Sequence, residues 1–208
     1  MEEIKFRLLR ADEIILRTGQ KTKDGSKQTL LLYKDARCDM ARLDEQFGPY
    51  GWQRDHKDVH GVSYCGVSLW DKTLNQWITK WDAGEKSNTS PEKGEASDAF
   101  KRACVNWGIG RELYSAPRIW VDAALDPRRL DVAAIGYDDK RHIEVLVITD
   151  EKGAVIYKQG DDLSISKAYL YGCRTKKELR AILTKKNWTQ NKTLVAYAQE
   201  LATTLPEE

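Results

Sequence analysis

Two kinds of hydrophobic period alternate along the first half of the chain. In "KDARCDMARLDEQFG" the apolar residues Ala36, Met40, Leu43 and Phe47 are spaced four, three and four apart. That spacing predicts one face of a helix, ended by Gly48-Pro49. From Gly51 to Gly84 the pattern becomes that of strands: "GWQRDHKDV", "GVSYCGVSLW" and "QWITKWDAG", separated by short polar or glycine-containing turns. The turn "DKTLN" makes the second and third a hairpin. The second carries apolar residues on both of its sides, which predicts a strand covered on both faces. In "EKGEASDAFKRACVNWGIGRELY" the period returns to that of a helix. Ala96, Ala99, Phe100, Ala103, Cys104 and Trp107 share one face. Ser90-Pro91 predicts its start as N-cap and N1, Thr89 and Glu92 could close a capping box, and Gly108-Ile109-Gly110 ends it.

The flanks are read the same way. "ADEIILRTG" predicts a short helix stopped by Gly19. "QKTKDGSKQ" is a polar, basic loop with a turn at Asp24-Gly25, and "LLLY" is a short strand. After Pro117, "RLDVAAIGYDD", "HIEVLVITD" and "GAVIYKQ" predict strands, then "TKKELRAILTKKNW" and "NKTLVAYAQELATTL" predict two helices. The fold class is therefore α+β: an antiparallel three-strand meander with a packed helix (a β-β-β-α core), plus an extension of strands and helices. A soft boundary near residue 120 divides a core, 1–120, from an extension, 121–208. The extension holds a basic segment, 174–192.

Composition narrows the classes. Of 208 residues 41% are hydrophobic, enough for a real core, and 32% are charged with a formal net charge of only +2. A nucleic-acid site must then come from local clustering of cations, not from global charge. The cysteines Cys38, Cys65, Cys104 and Cys173 form no CxxC pair, which suits a reducing compartment and small core residues. No apolar run approaches a bilayer span and "MEEIKFRLLR" is no signal peptide, so the expectation is a cytoplasmic protein without a membrane partner. Seven tryptophans fit an aromatic core, or a stacking platform for bases.

The candidate chemistry sits on the last helix of the core. Lys93, Ser97 and Lys101 stack on the side opposite the alanines, with Arg102 beside them. A solvated face with Asp98 pairing to Lys101 or Arg102 is one reading; an outward-facing anion site is the other. Gly108-Ile109-Gly110 is no dinucleotide fingerprint, because it follows a helix and lacks the third glycine. His56, Asp58 and His60 alternate along one strand and could hold a metal, but no fourth ligand is evident. No GxSxG, HExxH or Walker loop occurs.

"ARLDEQFGPYGW", a three-strand meander, then "EKGEASDAFKRACVNWGIGRELY" together resemble the Rad-fifty-two superfamily of single-strand annealing proteins. The resemblance includes its bacterial and phage branches and their DNA-damage-response end-binding relatives, and covers about Leu9 to Ser115. It implies side-by-side assembly into rings or arcs. Single-stranded DNA would lie in a basic groove, and complementary strands would anneal there in recombination and repair without cofactor or nucleotide hydrolysis. It places Lys101 and Arg102 in that groove, with Lys93 on the same stripe. The family's arginine of the preceding helix has Arg37 as its nearest candidate, one residue out of register, with Cys38 at the expected place. A further family arginine corresponds to Val105, and an outer DNA site falls near Lys86. The host would be a bacterial or phage-infected cell, and partnership with a single-strand-binding protein or a recombinase stays open. Two alternatives stand beside annealing: protection of DNA ends without annealing, and a metal-dependent nuclease using the acids with His56 and His60.

Overall fold

A computed structural model describes residues 4–85 and 91–208, the side chains of residues 91–93 excepted. In chain order its elements are β1 (Ile15–Lys21), β2 (Lys27–Tyr33), α1 (Ala36–Phe47), β3 (Trp52–Val59), β4 (Val62–Asp71), β5 (Gln76–Ala83) and α2 (Pro91–Trp107). There follow β6 (Ile119–Asp122), β7 (Leu130–Tyr137), β8 (Ile143–Asp150), β9 (Val155–Gln159), α3 (Asp162–Tyr171), α4 (Lys176–Lys185) and α5 (Lys192–Ala202). The class is α+β, and the sheets run β1-β2-β6, β3-β4-β5 and β7-β8-β9, all antiparallel. The chain divides into one unit of residues 4–9 and 34–114 and a second of residues 10–33 and 115–208. No described helix is long and apolar enough to cross a membrane.

The first unit is the expected β-β-β-α core with α1 ahead of it. Asp35 caps α1 by accepting from the backbone N–H groups of Arg37 (2.8 Å) and Cys38 (3.0 Å). Gly48, at φ 71°, ends it. β4 is central in the meander, so Cys65, Val67 and Leu69 are fully buried against α2. The other face of β4 carries Gly66, Ser68 and Trp70, opposite Trp81, Thr79 and Trp77 of β5. The Ser68 and Thr79 hydroxyls meet at 2.7 Å, and Trp70 meets Trp77 edge-on at 5.3 Å. The double-sided burial expected of this strand is therefore present. The outer edges of β3 and β5 have no strand partner among the described residues.

The second unit corrects one expectation. Ile15–Lys21 is a strand, and only Ala11–Glu13 forms a single 3-10 turn. Pairing decides this: Ile15, Leu16, Arg17 and Thr18 lie opposite Tyr33, Leu32, Leu31 and Leu30. The β-branched Ile15 and Thr18 suit a strand, and the apparent helical spacing is a coincidence of a short window. Gly19 is no helix stop; a Cβ there would collide with the Thr29 hydroxyl, which accepts from Gln20 N–H at 2.8 Å where the register shifts. β6 pairs with β2. The strands expected after Pro117 are β7, β8 and β9, and the two expected helices are α4 and α5. An unexpected helix, α3, precedes them, capped by Asp161. Ile165 and Ala168 of α3 pack on Ala134, Val145 and Val147 of the sheet. Its end, with Leu170 and Cys173, joins Leu179, Leu194 and Ala198 in a second cluster.

Candidate nucleic-acid interface

Small residues fix α2 on the meander. Ala99 and Ala103 have no exposed surface, and Phe100 and Cys104 are equally buried among the β4 side chains. Trp107 adds a hydrogen bond from its indole N–H to the Val67 carbonyl, 2.8 Å. The helix is thereby held in one rotation about its axis, and its polar residues emerge along two flanks.

Lys101 and Arg102 leave on different flanks. Lys101 is not on an open polar side, as the helical wheel predicts. Its side chain is only 14% exposed, its Nζ lies 3.4 Å from Asp98 Oδ1, and its charge reaches Asp39 of α1. Arg102 is 44% exposed and turns to β5, with Nε 3.3 Å from Asp82 Oδ1. That carboxylate raises the guanidinium's pKa above its ordinary value. Asn106, one turn on, donates to the same carboxylate at 3.2 Å and to the Trp81 carbonyl at 3.1 Å. Adjacent residues on a helix point about 100° apart, so a pair straddling the seam between α1 and β5 must divide in this way.

Two further cations gather where α2 ends. Lys80 of β5 donates to the Asn106 carbonyl at 2.9 Å and lies 4.3 Å above the Trp107 ring. Desolvation, and then the nearby Arg111, lower its pKa. Arg111 donates to the carbonyls of Val105 (2.9 and 3.2 Å) and Asn106 (3.1 Å). Cations are favoured at a helix C-terminus, whose last carbonyls lack partners. Sequence reading missed both. The signal for Arg111 was its place just after the helix-ending Gly108-Ile109-Gly110, whereas Lys80 depends on the β5–α2 packing.

Behind the interface is a buried ion pair, Lys34 with Asp39, which are 5% and 0% exposed. Burial pushes the Asp39 carboxyl up to about 6, with the charge of Lys34 pulling the other way. Burial also holds the neighbouring Cys104 thiol well above its usual range. The Lys34 stem reaches Asp39 across Gly110, where a Cβ would occupy the same space. Gly108 (φ 101°) and Gly110 (φ 72°) both take left-handed conformations. The glycines therefore end the helix and also leave room for a lysine.

Arg37 stands apart in the first turn of α1, 89% exposed and 3.7 Å from Asp35. The Lys93 side chain, Lys86 and the Thr89–Ser90 cap lie outside the described residues. Among the described residues no three His, Cys, Asp or Glu side chains gather as a metal site. Asp58 instead accepts from the Gly61 N–H at 3.0 Å, in the turn where His60 has φ 55°.

The core is thus a three-strand meander backed by α2, with Lys101 on one flank of the helix and Arg102, Lys80 and Arg111 on the other flank and at its end. The sequence model of the Rad52/22 family double-strand break repair protein matches residues 9–130, and the chain belongs to that family. Among curated proteins it is similar to the single-stranded DNA-binding protein DdrA of Deinococcus deserti, 34% identical over 122 residues, covering 56% of this chain and 59% of that one. It is also similar to DdrA of Deinococcus radiodurans, 35% identical over 99 residues, covering 47% of this chain and 46% of the relative. The chain thus matches roughly half the length of these relatives.

Proposed function

We propose that this chain binds single-stranded DNA along the flanks of α2, with Lys101 and Arg102 as phosphate contacts, and that copies assembled side by side anneal complementary strands during repair. The observation that carries the reading is the α2 face. An apolar side with alanines at its closest approach locks the helix to the meander, and cations stand on each flank. The name of the DdrA relatives supports the same ligand class, and membership of a double-strand break repair family supports the setting. Backbone phosphates, not base edges, are what such cations recognise. Arg37 and Lys93 would extend the track. The edges of β3 and β5, which have no strand partner among the described residues, offer a means of joining subunits into a ring or arc. That would turn short cationic patches into one continuous path on a chain of net charge +2. The function is binding and pairing, with no covalent step and no cofactor.

The test is fluorescence strand annealing with complementary oligonucleotides, alongside sedimentation of the protein with and without DNA. Annealing by an assembly of many subunits is expected. A monomer that neither binds nor anneals single strands would defeat the proposal. A second reading is end protection without annealing, and Val105 favours it, since a neutral side chain stands where the resemblance places an arginine. Tight binding with no acceleration of annealing, and with shielding of ends from an exonuclease, would establish that reading instead.

A further inference from the structure

The basic segment of the second unit is already in contact with anions. α4 buries Leu179, and Ile182 and Leu183 pack on the same apolar cluster. Lys176, Lys177 and Arg180 all meet carboxylates from residues 207 and 208. Lys176 Nζ lies 3.0 Å from Glu207 Oε1, Arg180 Nη2 lies 3.4 Å from Glu207 Oε2, and Lys177 Nζ lies 3.3 Å from Glu208 Oε1. The backbone adds to this. The N–H groups of Lys176 and Lys177 donate to the carbonyls of Pro206 (2.9 Å) and Glu207 (3.3 Å). Glu207 titrates below the usual carboxylate range because Lys176 hydrogen-bonds to it.

Capping explains only the backbone part of this contact, in which the Pro206 and Glu207 carbonyls take the first two N–H groups of α4. The third N–H is capped by Thr175, whose hydroxyl accepts from the Glu178 N–H at 3.1 Å, while the Glu178 carboxylate accepts from the Arg174 N–H, one residue before the cap, at 2.6 Å. The two side-chain carboxylates lie on the cations instead. Each of these exposed pairs is weak and screened by salt, so a polyanion offering several phosphates at once can displace them.

We propose that Lys176, Lys177 and Arg180 form a second phosphate-contact site for single-stranded DNA, and that Glu207 and Glu208 occupy it as an intramolecular competitor. This rests on the single-strand-binding reading above. When DNA is absent the carboxylates neutralise the row; when DNA arrives its phosphates replace them. Apparent affinity is lowered by the fraction of time the row is covered.

The experiment is oligonucleotide binding by fluorescence anisotropy across a salt series, using the full chain and its E207Q/E208Q variant. Both glutamines keep the shape of the segment and remove its charge. The variant is expected to bind roughly three- to tenfold more tightly at low salt. Its log–log salt slope should steepen by about 1.4–2.1, the contribution of two or three added phosphate contacts at about 0.7 each. Adding K176A/K177A/R180A to it should abolish the gain. A D139N/E144Q variant removes the same amount of charge from other exposed positions and should show little gain. Thermal melting of each variant confirms that it is folded. Wild-type affinity and slope in E207Q/E208Q, an equal gain in D139N/E144Q, or a gain that survives loss of the three cations would each overturn the proposal. Lost binding in a K101A/R102A variant, with no change in E207Q/E208Q, would remove this inference and leave the α2 interface standing. Wild-type protein that does not bind single strands at all would remove both.

Discussion

The side chain of Lys34 lies directly over Gly110, and its ammonium ends on the buried carboxylate of Asp39. A turn after α2 and the entry to α1 are thus fitted to one another through a charged pair. Gly110→Ala should force the lysine aside while also straining a backbone at φ 72°. A loss of about 1–3 kcal/mol is expected from crowding of this kind. Lys34→Met should cost more, about 3–5 kcal/mol, because it strands a buried carboxylate. Replacing both members, K34M/D39L, should recover much of that loss. Urea unfolding of the three variants checks the order; equal stability of Gly110→Ala and wild type would contradict the packing described.

Asp39 also gives the fold a signature in pH. Its carboxyl titrates at about 6 in the folded chain and near 3.9 when unfolded. The folded state therefore holds this proton more tightly between those values. The corresponding stability is fully present below about pH 4 and is lost as the pH rises through 6. The contribution is on the order of 1–3 kcal/mol. In Asp39→Asn it should vanish, so the difference in urea midpoint between wild type and variant should change from pH 4 to pH 7 and then level off. A difference that stays constant over that range would show that Asp39 does not titrate there.

Lys101 and Arg102 should separate on substitution. Arg102→Ala removes an exposed group and one ion pair to Asp82, a carboxylate that keeps its Asn106 contact. Its melting temperature should stay near wild type, since exposed pairs contribute about 0–1 kcal/mol. Its affinity for single strands should fall severalfold, and Arg102→Glu should be worse, with Asp82 left facing a like charge. Lys101→Ala is expected to reduce both binding and stability, because its side chain is largely buried, pairs with Asp98 and favours the charged form of Asp39. Paired melting and binding measurements distinguish the two; unaltered binding in both single variants would dismiss α2 as the interface.

Binding should weaken steeply with salt and be indifferent to base sequence. Each phosphate neutralised on a single strand adds about −0.7 to the log–log slope. A slope near zero, or strong preference for one short sequence, would contradict a backbone-reading interface.

Much of the fold was legible where the period was local. The 3.6-residue pattern of Ala99, Phe100, Ala103 and Trp107 identified α2 and its buried face, and the strands of the meander followed from alternation and turns. Ile15–Lys21 was misread because its identity depends on Leu30–Tyr33, beyond any local window. α3 escaped notice although Asp161 and Ser164 stand at its start in the manner of a cap. Within the site, a wheel places Lys101 on the polar side but carries no information about its burial, 14% exposed beside Asp98, or about the charge of Asp39 on α1. The partnership of Lys34 with Asp39, and of Lys80 with the end of α2, joins residues that no spacing rule connects. Gly110 was legible as a helix stop, and its second role becomes visible only with the lysine above it.

The divergence of Lys101 and Arg102 also constrains the path of a ligand. Cations stacked in a single file would act as a rail, and a phosphate chain would run parallel to the helix. Here one cation is drawn to Asp98 and the other to Asp82 of β5, so on the proposed reading a strand that meets both would pass over α2 crosswise. Each copy of the chain would then serve as a sleeper beneath the track, and the spacing between neighbouring copies, more than the length of the helix, would set how many nucleotides each one holds.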